Sequence, residues 1–399
     1  MDLRSGLPFW PMKDGLIRTY NPLDADLDVD LCVIGGGITG AFLARAAVLC
    51  GQSCAVLDRR NIAHGSTAAS TALLQYEIDQ HLTDLSDQIG EGNALLAYRS
   101  TRDALTRIEA ICRDVGHSDF EWKDSVYFAS DSKDVQPLRA EFELRRKHGF
   151  DIEMLERDDL RKRFDFETEC AILSRAAQID AYGLAHQLFA DVAKRGGRIH
   201  GRVQVDSIDE RSHDVVIRTV RGRRIGCRKL VIACGYESLP FLKSPPHVDL
   251  NSTYAFVTEP LERWDGWIGR EMLWESARPY SYARTTPDGR GILGGDDVPF
   301  RSPAARDALI PSRQARLENR WKELFPRIPL EVASTWTGTF AETRDALPFI
   351  GTPPDQPNLF FALCYGGNGI VFSAIAAEML TAALHGETHP CQSIFRFGR

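Results

Sequence analysis

The sequence predicts an α/β protein: a Rossmann-like parallel sheet wrapped by helices, joined to a discontinuous, β-rich second domain of α+β type. Three observations predict it. Asp30-Leu-Cys-Val-Ile34 is a short apolar run of the buried-strand type. Gly35-Gly-Gly37-Ile-Thr-Gly40 follows it directly and opens Ala41–Cys50, which is rich in Ala and Leu and helical in character. Cys54-Ala-Val-Leu57 is a second buried strand, closing at Asp58. Strand, glycine turn, helix, strand and acid make one βαβ unit.

The remaining elements follow in chain order. Residues 1–27 carry Pro8, Pro11 and Pro22 with Phe9, Trp10 and Tyr20, and read as an extended arm lying on the body of the protein. Asn93–Val115 has a helical pattern, Val126–Ala129 reads as a strand, and residues 131–150 are charged and helical. Tyr182–Arg195 is amphipathic and ends at Gly196-Gly197, a helix C-cap signal. Arg198–Val205, Val215–Val220 and Lys229–Ala233 are strand-like, as are 251–258, 280–284 and 291–295. Leu359–Tyr365 is a buried strand, and Ile370–Leu384 is a final helix closed by His385-Gly386.

A chain of 399 residues is long enough for two or three domains with a sizeable core. Lys and Arg number 48 against 55 Asp and Glu, a net charge of −7, which gives no general attraction to phosphate backbones and argues against nucleic acid as a partner. The nine cysteines include no CxxC pair, so neither a zinc site nor a disulfide framework is indicated, and a reducing, cytoplasmic setting is expected. The first residues lack the continuous apolar core of a secretion signal. Val29–Cys50 is long and apolar but holds Asp30, Arg45 and three consecutive glycines, so no transmembrane segment is expected there.

The glycine turn carries the first chemistry. Gly35 permits the tight turn, Gly37 lets a pyrophosphate approach the backbone, and Gly40 lets helix and strand pack closely. Ile38 and Thr39 open the helix, whose free N–H groups and dipole favour an anion. Asp58, 18 residues beyond Gly40, is placed to accept from a ribose hydroxyl, with Arg59 and Arg60 beside it. The run after the second strand contains Gly65, Ser66, Thr67, Ser70, Thr71 and Leu73. Glutathione-reductase-like and amine-oxidase-like flavoproteins carry a similar run of small residues, where the chain passes beside the flavin. Lys229–Gly235 is a strand ending at Cys234 and Gly235, of the kind that runs under a dinucleotide, and Val203 falls where such proteins hold adenine with backbone groups. Near the C-terminus Trp336-Thr-Gly338-Thr-Phe340 leads, through Asp345 and Pro348, to a strand that ends in Gly366, Gly367, Asn368 and Gly369 before the helix starting at Ile370. These glycines expose N–H groups at a helix N-terminus, where the dipole would stabilise the negative charge of a reduced flavin.

The four blocks, in this order and spacing, resemble the D-amino-acid-oxidase-like family of FAD-dependent oxidoreductases, of the glycine oxidase, sarcosine oxidase and γ-glutamylputrescine oxidase type. The resemblance spans roughly residues 28–390, and Glu275–Gly295 resembles the substrate-domain strand pair of the last type. It implies FAD as cofactor, a small-molecule amine or amino acid as substrate, hydride transfer from a C–N carbon to the flavin, and hydrolysis of the resulting imine. Oxygen or another acceptor would reoxidise the flavin. It implies an FAD-binding domain of 28–95, 152–246 and 332–390, a substrate domain of 96–151 and 247–331, and a tail of 391–399. The substrate would be walled by Tyr254, Glu275, Tyr280, Tyr282 and Arg284. Alternation puts Tyr280, Tyr282 and Arg284 on one face, which is either the pocket or an ordinary packed side of the sheet.

Two departures bear on the chemistry. Glycine-oxidase-like members carry an arginine for the substrate carboxylate where this chain has Phe340, so an α-amino acid held in that way is not expected here unless Arg278 or Arg284 substitutes. Members with covalent FAD use a histidine at a position that here is Ala69, which implies non-covalent FAD; His64 precedes the run, and Cys364 falls near the expected flavin edge. An amine or N-substituted amino acid is therefore the expected substrate, with an α-amino-acid oxidase or dehydrogenase, or a flavoprotein subunit of a larger complex, as the alternatives.

Overall fold

The computed structural model describes residues 2–363 and 365–399, so Cys364 lies outside the described residues. Among the described residues the strands form two sheets. The smaller has eight strands, and its parallel centre follows the βαβ reading. Leu27–Ile34 lies between Cys54–Leu57 and Arg224–Ile232, with Arg198–His200 beyond the first and Leu359–Leu363 beyond the second. Leu31, Val33, Ala55, Val56, Leu230 and Val231 are fully buried, as central strands covered on both faces must be.

The helix Ile38–Leu49 packs between Ala181–Lys194 and Gly369–Leu384. Its close approach depends on small residues: Ala41, Ala44 and Ala47 are fully buried, and Thr39 Oγ1 bonds Ser373 Oγ at 2.8 Å. Two glycines of the turn meet real steric limits. Gly35 has φ +114°, and a Cβ there would sit 2.3 Å from the Ala233 carbonyl oxygen. A Cβ on Gly40 would sit 1.8 Å from the Gly35 carbonyl oxygen, which is the helix–strand contact that the sequence assigns to this glycine.

The larger sheet has ten strands. Its centre runs Val332–Glu342, Asp249–Thr258, Gly291–Pro299, Ser281–Thr285, Met272–Glu275, Phe120–Phe128 and Cys170–Ile179. One face packs on Ile310–Leu324 through Leu317, Trp321 and Leu324, which meet Phe256, Leu293 and Trp267. The opposite face turns toward the glycine-rich blocks.

Three expectations need correction. The arm 1–27 is not simply extended: Arg4–Gly6 adds an edge strand to Val332–Glu342, and Phe9–Asp14 is a helix that buries Phe9 and Trp10. Segment 152–246 is split, because Ile152–Glu156 and Cys170–Ile179 belong to the ten-stranded sheet. Segment 332–390 is split as well, since Val332–Glu342 pairs with Asp249–Thr258 along its whole length. Weak strand signals explain both splits. Cys170–Ile179 is rich in Ala and buried on nearly every residue, so it shows no two-residue alternation. Val332–Glu342 is rich in Thr and small residues and carries no strong apolar pattern.

Candidate functional site

A cavity of about 750 Å³ opens between the two sheets. At one end the Asp58 carboxylate accepts the Gly36 N–H at 2.7 Å and the Arg60 N–H at 2.6 Å, and the Asp58 carbonyl accepts the Val203 N–H at 2.7 Å. Burial raises the Asp58 pKa, and the two N–H donors pull against that. Each oxygen keeps acceptor capacity beyond its one backbone bond. Arg59 and Arg60 both pair with Glu237, Arg60 at 3.1 Å. Gly35, Gly37, Ile38 and Thr39 line this end with Val203, Cys234 and Gly235. Gly40 lies beneath, inside the helix–strand contact.

The small-residue run forms the floor. Gly65, Ser66, Thr67, Ser70, Thr71 and Leu73 all line the cavity. Thr67 Oγ1 accepts the Ile38 N–H at 2.9 Å, tying the run to the start of the Ile38–Leu49 helix. Two tryptophans pin it from outside: Trp10 Nε1 donates to the Ser70 carbonyl at 2.7 Å and Trp336 Nε1 to the Ala69 carbonyl at 2.8 Å. Gly338 lies over it, where a Cβ would be 3.5 Å from the Ala69 methyl. Gly366, Gly367, Asn368, Gly369 and Ile370 close the far end, and the Gly367 N–H donates to Asp79 Oδ2 at 2.8 Å.

The residues expected to wall the substrate divide. Tyr280 and Tyr282 line the cavity, and Tyr280 OH donates to Asp79 Oδ1 at 3.2 Å. Burial raises both phenol pKa values, so both remain donors at neutral pH. Tyr254, Glu275 and Arg284 do not line it. Tyr254 follows Thr253, and strand alternation sends it to the outer face, where its hydroxyl donates to the Arg306 carbonyl at 3.1 Å. Glu275 accepts from Arg320 at 2.6 Å, Ser130 Oγ at 2.9 Å and Ser281 N at 3.0 Å, a closed structural set. Arg284 shares the face of Tyr282 but lies behind the floor. Its Nη1 donates to the carbonyls of Ala72 at 2.8 Å, Ile179 at 3.0 Å and Thr71 at 3.1 Å, and burial pushes its pKa down to about 10. His64 is likewise outside the lining, with Nε2 3.3 Å from Tyr182 OH.

Asp79, Thr253, Asp297 and Phe340 are among the lining residues that carry no sequence motif or enter only as a departure. Asp297 is the most unusual. It is half-buried, and its Oδ1 is closed to solvent without a hydrogen-bond partner. Burial pushes its pKa up to about 7, against a hydrogen bond from Thr253 that acts the other way. Leaving such an acceptor atom unsatisfied costs about 1–3 kcal/mol. The sequence signal is Gly294-Gly295 inside a strand pattern, which marks a bulge. Tyr254 pairs with Gly295 and Ser252 with Val298, so Thr253 opposes both Asp296 and Asp297.

The residues present fit a dinucleotide: a glycine turn under a helix N-terminus, an acid with acceptor capacity beside it, and a floor without bulky side chains. The comparison with protein families agrees, since the model described as FAD dependent oxidoreductase (DAO) matches residues 30–383. The chain belongs to this FAD-dependent oxidoreductase family. Like other DAO-family members it uses FAD. It is 21% identical over 389 residues to gamma-glutamylputrescine oxidoreductase of Escherichia coli (strain K12), covering 92% of this chain and 86% of that one. It is 24% identical over 356 residues to a subunit of the opine oxidase of Agrobacterium tumefaciens (strain Ach5), covering 85% and 89%. The fold superposes on glycine oxidase from Geobacillus kaustophilus with a TM-score of 0.78 at 17% identity, covering 94% of this chain and 99% of that structure. No helix among the described residues is long and apolar enough to cross a membrane.

Proposed function

We propose that this DAO-family protein oxidises a C–N bond of an amine or N-substituted amino acid, with FAD held non-covalently by the blocks around Gly37, Asp58 and Gly367. One observation carries the reading: the substrate end of the cavity is lined by Tyr280, Tyr282, Phe340, Asp79 and Asp297 and holds no cation among its described lining residues. The arginines of the lining are Arg59 and Arg60, at the Asp58 end with Glu237, and the described lining has no lysine. An α-carboxylate buried against Phe340 without a cation would lose several kcal/mol. Arg278, outside the lining, is exposed and directs its donors to the carbonyls of Ala277 at 3.0 Å and Asp79 at 3.2 Å.

FAD, when bound, supplies the hydride acceptor. The chain's own part is to orient the amine and keep water out, with tyrosine hydroxyls and aromatic faces above the floor and the donor carbon held toward it. Ala69 in place of a histidine, with His64 turned to Tyr182, supports non-covalent attachment. The domain reading that follows the sheets assigns the cofactor to the eight-stranded sheet with its helices, and the substrate to the inner face of the ten-stranded sheet. The likeness to one subunit of an oxidase supports a second reading, a flavoprotein that needs a partner for turnover. Anaerobic mixing of the purified holoprotein with alkylamines separates the two. Bleaching of the flavin without any partner supports the first, and bleaching only after a partner is added supports the second.

A further inference from the structure

We propose that the N-terminal arm, residues 2–14, is a working part of the cofactor site: Leu3 supplies a piece of its wall, and Arg4 and Trp10 position the small-residue run that forms its floor. The inference rests on the reading above that FAD occupies the cavity. It goes beyond that reading, which holds FAD by the blocks around Gly37, Asp58 and Gly367 and leaves the arm without a role.

The arm meets both sides of the cavity. Leu3 lines it, beside Gly65, where a Cβ would stand 3.0 Å from Leu3 Cδ1. The Leu3 carbonyl accepts the Thr339 N–H at 3.1 Å, so the same residue is tied to the ten-stranded sheet. Arg4 Nε donates to the His64 carbonyl at 3.0 Å and Trp10 Nε1 to the Ser70 carbonyl at 2.7 Å, which holds segment 64–70 at both ends. Arg4 and Trp10 are outside the lining, so they hold the floor without occupying the cavity. The segment needs such support, because its helix Ser66–Ala69 is a single turn, too short to keep its shape unaided.

The arm is itself fastened to the ten-stranded sheet. Arg4–Gly6 pairs with Val332–Glu342, Arg4 opposite Gly338 and Gly6 opposite Trp336, and the Leu7 N–H donates to the Thr335 carbonyl at 3.1 Å. Buried Arg306 secures the start of the arm: its Nη1 donates to the Asp2 carbonyl at 3.0 Å and to Thr339 Oγ1 at 3.1 Å. Phe9 and Trp10 are each 1% exposed, so the helix Phe9–Asp14 is seated by its own apolar side. The floor is therefore held in place against the ten-stranded sheet through the arm. Docking of the arm and occupancy of the floor then favour each other, and the coupling is reciprocal: whatever the arm adds to FAD affinity, FAD adds to arm docking. An arm with a structural role only would stabilise the protein equally with and without FAD, and would leave the FAD Kd unaltered.

Both directions of the coupling can be measured. Trp10→Phe keeps a buried ring and removes the N–H donor, Leu3→Ala removes the wall contact, and Leu16→Ser, at an exposed side chain beyond the arm helix, is the control. FAD Kd, FAD dissociation from the holoprotein and apoprotein Tm are measured for each, and hydrogen exchange of the wild-type amides is followed with and without FAD. Trp10→Phe is expected to weaken FAD binding by about three- to tenfold, the worth of one hydrogen bond. Leu3→Ala is expected to weaken it too, and Leu16→Ser to bind as wild type does. FAD is expected to slow exchange in residues 2–14 and to leave the outer helix Ile310–Leu324 unaffected. A lowered apoprotein Tm with wild-type Kd in both variants, and arm exchange that FAD does not slow, would overturn the proposal while FAD binding stands. If a variant does not fold, the exchange comparison in wild type decides alone. A wild-type protein that binds no FAD would overturn the cofactor reading together with the proposal.

Discussion

Replacing Asp58 with Ala removes a group that serves two structures at once. Its carboxylate accepts the Gly36 N–H at 2.7 Å and the Arg60 N–H at 2.6 Å, so it staples the glycine turn to the residues after the second strand before any cofactor arrives. Hydrogen bonds to a charged acceptor contribute about 1.5–3 kcal/mol each. Two of them would be worth about 3–6 kcal/mol, and water entering from the open cavity would replace part of this, leaving a net loss of roughly 2–4 kcal/mol. That is less than the usual stability of a native protein, about 5–15 kcal/mol, so the variant should fold. Loss of the proposed ribose acceptor would add a further tenfold to hundredfold loss of FAD affinity, for about 1.5–3 kcal/mol. Thermal melting of the apoprotein and FAD retention on dilution read the two effects separately. An apoprotein Tm equal to wild type, with FAD retention unchanged, would refute both roles of Asp58.

Gly40→Ala should abolish soluble holoprotein, because the added Cβ would meet backbone at 1.8 Å that has no room to retreat; normal expression and FAD content would contradict the packing described. Arg284→Met should lower Tm by taking the Nη1 donor from the Ala72, Ile179 and Thr71 carbonyls, at about 1–3 kcal/mol for a buried acceptor left unsatisfied, and a selective rise in KM at unchanged Tm would instead restore Arg284 to the substrate wall. The Asp297 pKa of about 7 lies above the unfolded value of 3.8, so the folded state holds a proton that the unfolded state releases, and apoprotein stability should fall as pH rises from about 4 to about 7. Asp297→Asn should accordingly raise apoprotein Tm at pH 8, by about 1–2 kcal/mol in stability, and leave it near wild type at pH 4; the opposite pH order would count against a buried, cation-free carboxyl. Acid precipitation should leave the yellow colour in the supernatant, and colour in the pellet would mean covalent FAD.

The half of the candidate site around the glycine turn, where the cofactor is proposed to bind, is legible in the sequence because its constraints are local. Gly35, Gly37 and Gly40 are read within six residues, and Asp58 follows at the end of the next strand. The half proposed for the substrate is less so, because its face is assembled by strand pairing between segments far apart in the chain. Asp79 meets Gly367, and Thr253 meets Asp297 through a bulge that alternation alone does not register. Alternation finds Tyr280 and Tyr282, and the same rule places Arg284 on the right face but cannot show that the floor at Thr71 and Ala72 covers it. Glu275 and Tyr254 depart from the expected wall for a different reason: their partners, Arg320 and the Arg306 carbonyl, come from outer segments with no sequence relation to the strands. In the arm 1–27 the prolines suggest extension, whereas burial of Trp10 under the small-residue run, with its bond to Ser70, decides the local structure.

The most direct test of amine oxidation is anaerobic stopped-flow reduction of the bound flavin, without added partner protein, by two panels: alkylamines, diamines and N-methyl amines in one, glycine and D-amino acids in the other. Faster bleaching by at least one amine than by every simple amino acid is expected, because Phe340, Asp79 and Asp297 offer a carboxylate no cation. Faster bleaching by glycine or D-alanine than by every amine would contradict it, and would require a cation to reach the flavin face that the described cavity lining does not contain.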